Sequence, residues 1–394
     1  MKLELLATTA FGLEALARRE LEALNFEART SEPGRISFHG DASAICTANL
    51  WLRTAERVLV VIGRFEATDF GQLFDRTREL PWEEWVGAQD AFPVRGRSVK
   101  SQLSSVPACQ RIVKKAIVDR LMEAHGTDRL EESGPARTIE VALLEDRVTL
   151  TIDTTGVGLH KRGYRSLVGA APLRETLAAA LVQLSFWHDD RPLVDPFCGS
   201  GTIPIEAALI GTNRAPGLAR TFAAQDWPNV PESLWEAART DARAQLRPLQ
   251  SQIVGYDADE EALSLARRHA QQAGVADLVR FERQEFEQLE SDLDYGVLIA
   301  NPPYGERVGE QKEVAALYQR FPIVLGRLPT WSHFIFTAME EFERRVGRGA
   351  DRRRKLFNGP LQCTYYQVHG PRRGKGAQLP AAGRGLPEVA AQPS

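Results

Sequence analysis

Two short stretches hold residue types that can do chemistry together. The first, Asn301-Pro302-Pro303-Tyr304, follows the apolar run Val297-Leu298-Ile299-Ala300. Neither proline has an amide hydrogen and both hold the backbone extended, so this strand cannot run on into a helix. The Asn301 side chain and the Pro302 carbonyl are thereby left as acceptors. A planar exocyclic amine offers two hydrogens to two such acceptors, and Tyr304 offers a flat face on which a base can stack. The second stretch, Leu193-Val194-Asp195-Pro196-Phe197-Cys198-Gly199-Ser200-Gly201-Thr202, lies about one hundred residues earlier. It reads as a strand, a glycine turn and the start of a helix. Gly199 and Gly201 can take positive φ and let a ligand lie against the backbone. The first amides of the helix after Thr202 are unsatisfied by the helix itself. Such crossings are where open α/β sheets bind nucleotide-like ligands. No Gly-Lys-Ser/Thr follows the glycines, so this is not a Walker loop, and only Gly-Ser-Gly of a dinucleotide fingerprint is present.

Asp-Pro-Phe-Cys-Gly-Ser-Gly-Thr at 195–202 resembles the first motif of class I S-adenosylmethionine (SAM)-dependent methyltransferases. Asn-Pro-Pro-Tyr resembles the motif of amino-methyltransferases acting on adenine N6, guanine N2 or glutamine amides. The resemblance implies an α/β, Rossmann-like domain with a mostly parallel seven-stranded sheet. It implies SAM as cofactor, held by Asp195, Pro196, Phe197, Gly199, Gly201, Thr202 and Asn301, and a catalytic set of Asn301, Pro302 and Tyr304. Ile253-Val254-Gly255-Tyr256-Asp257 reads as the next strand, and an acidic residue at its end can accept both ribose hydroxyls. Asp257 is placed there, with Asp259 capping a helix over 260–273. Glu285 follows a strand at Val279–Phe281, where related enzymes carry an acidic residue near the adenine amine. Cys198 reads as a small packing residue rather than a nucleophile.

The elements that must position this site come after a long N-terminal region. Residues 1–60 read as a small α+β unit of ferredoxin-like type: a strand at Leu3–Ala7, a helix at Gly12–Leu24, a strand at Arg35–Gly40 and a helix capped by Asp41. Residues 61–157 form a second unit, with a helix at Phe70–Leu80, an extended basic segment after Phe92, an amphipathic helix at Pro107–His125 and strands at 137–144 and 147–155. This arrangement resembles a THUMP domain, an RNA-binding module. Arg95, Arg97 and Lys100, with Ser98 and Ser101, suit phosphate contacts without base readout. The joining segment 158–171 holds Gly158-Leu159-His160-Lys161-Arg162-Gly163-Tyr164-Arg165, followed by a helix expected from Ala171-Pro172 to about Trp187. This join resembles that of THUMP-containing ribosomal RNA guanine-N2 methyltransferases, the family of the N-terminal half of RlmL and of the YpsC-like proteins. Lys161, Arg162 and Arg165 are the expected RNA contacts of the join, with a structural hinge as the other reading.

The methyltransferase domain is expected over 172–370. It carries an insertion rich in Pro and Trp at 211–249, a loop at Gly305–Gly309 able to close over a target base, and a basic segment at 344–355 that reads equally as a solvated turn or a backbone clamp. Residues 371–394 have few large apolar side chains and read as a disordered tail. The net charge of −3 leaves room for local basic patches, which decide contact with nucleic acid. No apolar run reaches bilayer-spanning length, and no secretory pattern opens the chain. Four cysteines, far apart and without C-x-x-C, argue against a zinc site or a disulfide framework and fit a reducing cytoplasm.

The resemblance implies SAM-dependent formation of N2-methylguanosine in RNA, 23S ribosomal RNA before transfer RNA, with the guanine flipped from its stack. A transfer RNA guanine-N2 methyltransferase is the near alternative. A DNA adenine-N6 enzyme fits the THUMP-like front less well. A non-catalytic RNA-binding factor fits the intact Asn-Pro-Pro-Tyr less well. Neither the oligomeric state nor the target nucleotide can be read from the sequence.

Overall fold

The computed structural model describes residues 2–165, 173–304 and 311–372. In chain order the elements begin with β1 (Leu3–Thr9), α1 (Glu14–Ala23), β2 (Ala28–Glu32), β3 (Arg35–Gly40), α2 (Ala42–Trp51) and β4 (Ala55–Glu66). Next come α3 (Phe70–Arg78), β5 (Val94–Val99), α4 (Val106–His125), β6 (Ile139–Leu144) and β7 (Arg147–Asp153). They are followed by α5 (Glu175–Leu184), β8 (Leu193–Asp195), α6 (Thr202–Gly211), α7 (Glu232–Ala244), β9 (Ile253–Asp257), α8 (Glu260–Gln272) and β10 (Val279–Arg283). The last are β11 (Val297–Ala300), α9 (Gln311–Gly326), β12 (Ser332–Thr337), α10 (Phe342–Val346), β13 (Arg352–Asn358) and β14 (Leu361–Val368).

Two compact units result. The first takes residues up to 165, with 174–180 and 214–246. Its strands form one seven-stranded sheet in the order β2-β3-β1-β4-β7-β6-β5, so the ferredoxin-like and THUMP-like strands share a single sheet. All pairs are antiparallel except β5 with β6. The Asp41 side chain caps α2 by accepting from the Ser43 amide at 2.9 Å. Glu145 and Asp146 both take positive φ, at 51° and 64°, as the tight turn between β6 and β7 requires.

The insertion belongs to this first unit. Trp235 on α7 is fully buried and stacks on Phe222 at 5.1 Å, and Trp227 and Val230 join the same core as Leu50 and Leu52. Burying one such side chain is worth about 1.5–3 kcal/mol. That apolar surface explains why a Pro- and Trp-rich segment leaves the domain in which it is encoded.

The second unit takes Leu173, 181–213 and residues from 247 onward. Its sheet runs β10-β9-β8-β11-β12-β14-β13. The strands from β10 to β12 are parallel and β14 runs antiparallel to both neighbours. Strands covered on both faces read as unbroken apolar runs: β11 is Val-Leu-Ile-Ala and every residue of β8, β11 and β12 is buried. The edge strand β10 alternates instead. The end of the segment 344–355, which reads equally as a solvated turn or a backbone clamp, enters β13: four consecutive cations hid an edge strand, and an exposed edge tolerates charge. Tyr365 and Gln367 on β14 donate to the Leu181 and Leu184 carbonyls at 2.9 and 3.0 Å, fixing the end of α5. α5 begins at Glu175; the expected start at Ala171-Pro172 lies outside the described residues, as do the Gly305–Gly309 loop and the tail after Arg372. Among the described residues no helix is long and apolar enough to cross a membrane.

Candidate active site

A cavity of about 1030 Å³ opens at the carboxyl ends of β8, β9, β10 and β11. This is the point where strand order reverses between β8 and its two neighbours, and so where a parallel sheet leaves a crevice. Register explains the convergence. Asp195 pairs with Gly255, and Asp257 with Arg283, while Val194 pairs with Leu298. The loops that leave these strands therefore face one another.

The turn after β8 is built by backbone demands. Gly199 has φ 50° and Gly201 has φ 82°. A Cβ on Gly201 would lie 2.8 Å from the Phe281 ring and 2.9 Å from the Ala266 methyl, whereas one on Gly199 would meet nothing within 4 Å. Gly201 thus serves the packing of α6, and Gly199 keeps the cavity wall open. Pro204 sits in the first turn of α6, where a missing amide hydrogen costs nothing. Cys198 is buried, its amide donates to the Tyr256 carbonyl at 2.9 Å, and burial with the neighbouring carboxylates pushes its thiol far up. It is a packing group rather than a nucleophile.

Asp195 is 1% exposed and its carboxylate accepts from the Phe197 amide at 3.1 Å. Among the described residues no cation pairs with it. Burial pushes its carboxyl well above the usual range, with the nearby Asp257 charge adding to the shift. Asp257 accepts from the Gly199 amide at 2.8 Å and from the Asp259 amide at 3.0 Å, and so ties the two loops together. Asp259 caps α8 through the Glu261 amide at 2.8 Å. The cavity wall carries six carboxylates, those of Asp195, Asp257, Asp259, Glu261, Glu285 and Glu287, and no Lys or Arg among the described residues. Such a wall repels phosphates and favours a cationic nucleoside, because isolated buried carboxylates are costly until a positive charge joins them.

Asn301 lies in the wall as the first residue after β11. The Tyr304 hydroxyl donates to its side-chain oxygen, and its amide nitrogen makes no hydrogen bond among the described residues. Pro302 is buried, and nothing among the described residues donates to its carbonyl. Pro303, not Pro302, lines the cavity. Its carbonyl accepts from the Tyr318 hydroxyl at 3.4 Å, and that hydroxyl also bonds Thr337 at 2.7 Å. Phe197 sits against Phe286 and Phe321, with ring centres 4.8 and 6.1 Å apart, as an apolar floor.

The cavity brings together Asp195, Pro196, Phe197, Gly199, Thr202, Asp257, Glu285 and Asn301. Gly201 and Tyr304 are not among the residues that line it. Leu173 also lines it, and so do Leu265, Gln284, Val314 and Leu317, which were not foreseen. Leu173, Val314 and Leu317 arrive from remote helices or loops. Gln284 was within reach, since it adjoins Glu285.

The expected RNA contacts divide. Arg95 and Lys100 are exposed. Arg97 is only partly exposed and pairs with Glu32 at 2.9 Å. Lys161 is exposed, but Arg162 is 2% exposed and donates to the Leu159 and Arg53 carbonyls. Arg165 is largely buried and pairs with Glu175 at 3.3 Å. Arg162 and Arg165 are therefore clamps on the joining segment, not RNA contacts: a guanidinium already inside the protein cannot reach a phosphate. Arg220 from the insertion completes the clamp, donating to the Gly158 and Lys161 carbonyls at 2.8 and 2.9 Å. His160 pairs with Glu56 at 2.8 Å, and Thr176 donates to the same carboxylate at 2.8 Å. Burial opposes ionisation of Glu56, but these bonds outweigh it and hold its carboxyl low.

Comparison with known proteins agrees with this geometry. Residues 162–367 match the family described as RMKL-like, methyltransferase domain; residues 4–59 match the RlmL ferredoxin-like domain and residues 67–153 the THUMP domain. The chain belongs to the RMKL-like methyltransferase family. "Putative RNA methyltransferase YpsC" of Bacillus subtilis is 46% identical over 93% of this chain and 96% of its own. The crystal structure of a "predicted N6-adenine-specific DNA methylase" from Listeria monocytogenes superposes with a TM-score of 0.90 at 47% identity, covering 94% of this chain and 97% of that one. SMU.472, crystallised with S-adenosylhomocysteine (SAH), superposes with a TM-score of 0.89 at 42% identity, over 95% and 99% of the two chains. Family membership makes SAM the cofactor. The buried Asp195, without an ion pair among the described residues, and the carboxylates that are the charged groups of the described wall fit a ligand with a sulfonium and an ammonium group.

Proposed function

We propose that the chain methylates the exocyclic N2 amine of a guanine in RNA, in 23S ribosomal RNA before transfer RNA. The observation that carries this reading is the pair of acceptors beside the cavity, the Asn301 amide oxygen and the Pro302 carbonyl, to which nothing among the described residues donates, on a loop that two prolines hold extended. SAM supplies an electrophilic methyl group when bound. Asp195 and Asp257 neutralise positive charge and hold the ligand's amino-acid and ribose ends. Asn301 and Pro302 accept the two amine hydrogens and leave the nitrogen lone pair directed at the cavity. The nitrogen–methyl bond would form as the sulfonium–methyl bond breaks, with SAH leaving; the same oxygens disperse the positive charge on the nitrogen, whose extra proton then passes to water, so no strong base is needed before attack. Positioning of this kind contributes about 7–11 kcal/mol in favourable cases. A paired guanine cannot enter such a site, so the base leaves its stack first.

RNA as substrate is supported by the THUMP match and by the name carried by YpsC. Arg95, Lys100 and Lys161 are the exposed cations proposed to meet its phosphates. The Listeria relative's description favours one other reading, since adenine N6 is also an exocyclic amine. Labelled SAM offered separately with ribosomal RNA, transfer RNA and duplex DNA, followed by nucleoside analysis, tests the proposal. N2-methylguanosine in 23S RNA is expected. Label in transfer RNA moves the substrate but keeps the chemistry, and N6-methyladenine in DNA overturns the proposal.

A further inference from the structure

The β13–β14 hairpin has no part in the site described above. β14 meets β12 from His333↔Val368 to Thr337↔Thr364, but it meets β13 as far as Asn358↔Leu361. Lys355 is in register with Thr364, and hence with Thr337, the last residue of β12. Three further pairs, Leu356↔Cys363, Phe357↔Gln362 and Asn358↔Leu361, run past the end of β12. At ~3.3 Å per residue they project by about 10 Å. Because β12 is parallel to β11, the projection lies at the end of the sheet that carries Asn301. Tyr318 links the two places, bonding both the Pro303 carbonyl and the Thr337 hydroxyl. From Thr337, Lys355 is two strand spacings away, roughly 10 Å.

Residues opposite one another in an antiparallel pair share a face, and successive residues alternate. Lys355, Thr364, Phe357 and Gln362 therefore stand together, while Leu356 and Cys363 point the other way and are buried. Phe357 is 39% exposed at the tip. Within a chain of net charge −3, residues 344–355 hold seven cations and one carboxylate. Glu341 engages Arg344 and Arg345, and Glu343 grips Arg353 through two bonds of 2.6 and 2.7 Å. Arg348, Arg352 and Lys355 are exposed and form no ion pair among the described residues. On the face of Phe357, Arg353 is held by Glu343, and Lys355 is the exposed cation without an ion pair among the described residues. A cation beside an exposed aromatic ring complements a flexible polyanion with flat faces. Single-stranded nucleic acid has that chemistry.

We propose that the β13–β14 hairpin is a wall of the substrate cleft that holds the RNA strand beside the target nucleotide, with Phe357 stacked on a neighbouring base and Lys355 on a phosphate. The proposal rests on the RNA reading above. Its test compares the full-length wild type with Phe357→Ala, Phe357→Trp and Lys355→Glu on an RNA that the wild type methylates. SAM affinity and thermal melting serve as controls. Phe357→Ala raises KM for RNA about tenfold, and Phe357→Trp restores it, because stacking needs only a flat ring. Lys355→Glu raises KM several-fold at low salt and less at high salt. SAM affinity and melting stay at wild-type values in all three. Wild-type KM values in both Phe357→Ala and Lys355→Glu overturn the hairpin assignment and leave the RNA reading standing. A wild type that labels no RNA fraction removes the RNA reading, and the hairpin assignment with it.

Discussion

Adding one methyl group at each of the two glycines of the β8–α6 turn should have opposite consequences, although they lie two residues apart. At Gly201 the added Cβ must enter space held by the Phe281 ring at 2.8 Å and the Ala266 methyl at 2.9 Å. Phe281 lies in β10 and Ala266 in α8, so neither can retreat without moving its element. Overpacking of this kind costs about 1–3 kcal/mol. The φ of 82° adds about 1–2 kcal/mol for an L residue. Gly201→Ala should therefore lose about 2–5 kcal/mol of stability. At Gly199 the Cβ meets nothing within 4 Å, so only the backbone term of about 1–2 kcal/mol applies. That methyl group would instead reach into the cavity that Gly199 lines, where the cofactor is proposed to lie. Gly199→Ala should lose only that ~1–2 kcal/mol of stability, less than Gly201→Ala, and bind SAM at least about tenfold more weakly, as a loss near 1.4 kcal/mol implies. Urea unfolding of the ligand-free proteins gives the first quantity and titration calorimetry with SAM or SAH the second. Equal destabilisation of the two variants, or undiminished SAM affinity in Gly199→Ala, would falsify this division of labour.

Other perturbations separate the remaining roles. Asn301→Ala should keep SAM affinity in calorimetry and lose about 10²-fold or more of methyl transfer, since a preorganised acceptor is removed; unchanged turnover takes Asn301 out of the chemistry. His333 is buried with neither ring nitrogen hydrogen-bonded among the described residues, and burial, aided by Arg348, pushes its pKa from 6.5 down to about 4. The folded state thus resists a proton that the unfolded chain accepts, so stability is full above pH 6.5 and is lost as pH falls through 4. The gap of about 2.5 units corresponds to up to roughly 3 kcal/mol. Urea midpoints at pH 7.5 and 4.5 should show a smaller acid loss in His333→Leu than in wild type, and identical losses would count against His333 as a source. Arg162→Ala should cost about 2–3 kcal/mol, because two backbone carbonyls lose a buried charged donor. Lys161→Ala should leave melting untouched and flatten the salt dependence of RNA binding by about one ion; a stable Arg162→Ala with weakened RNA binding would reverse these assignments.

Which residues meet at the cavity was legible because each is placed locally. Asp195, the Gly-Ser-Gly turn and Asn-Pro-Pro-Tyr each act through their own backbone: a strand end, a positive φ, a proline without a donor. The buried strand β11 announced itself as an apolar run for the same reason, and the caps at Asp41 and Asp259 bond within two residues of themselves. Elements on solvated edges were less legible. β13 shows four cations in succession because Leu356 is its one buried residue, and β2 carries too few apolar residues to reveal a period.

What a residue does over long range depends on partners the chain order does not reveal. Arg162 and Lys161 are adjacent cations, yet one is sealed against the Leu159 and Arg53 carbonyls and the other is exposed. The Trp-rich insertion between α6 and β9 carries an apolar surface whose partner, the α2 side of the first unit, lies more than one hundred and fifty positions upstream. The acidic wall is likewise collected from three strand ends, and a uniform sign of charge emerges only when they meet. Backbone geometry is set by neighbours in sequence, and so motifs and strand cores can be read directly. Burial and electrostatic field are set by neighbours in space, and only the folded sheet brings those together.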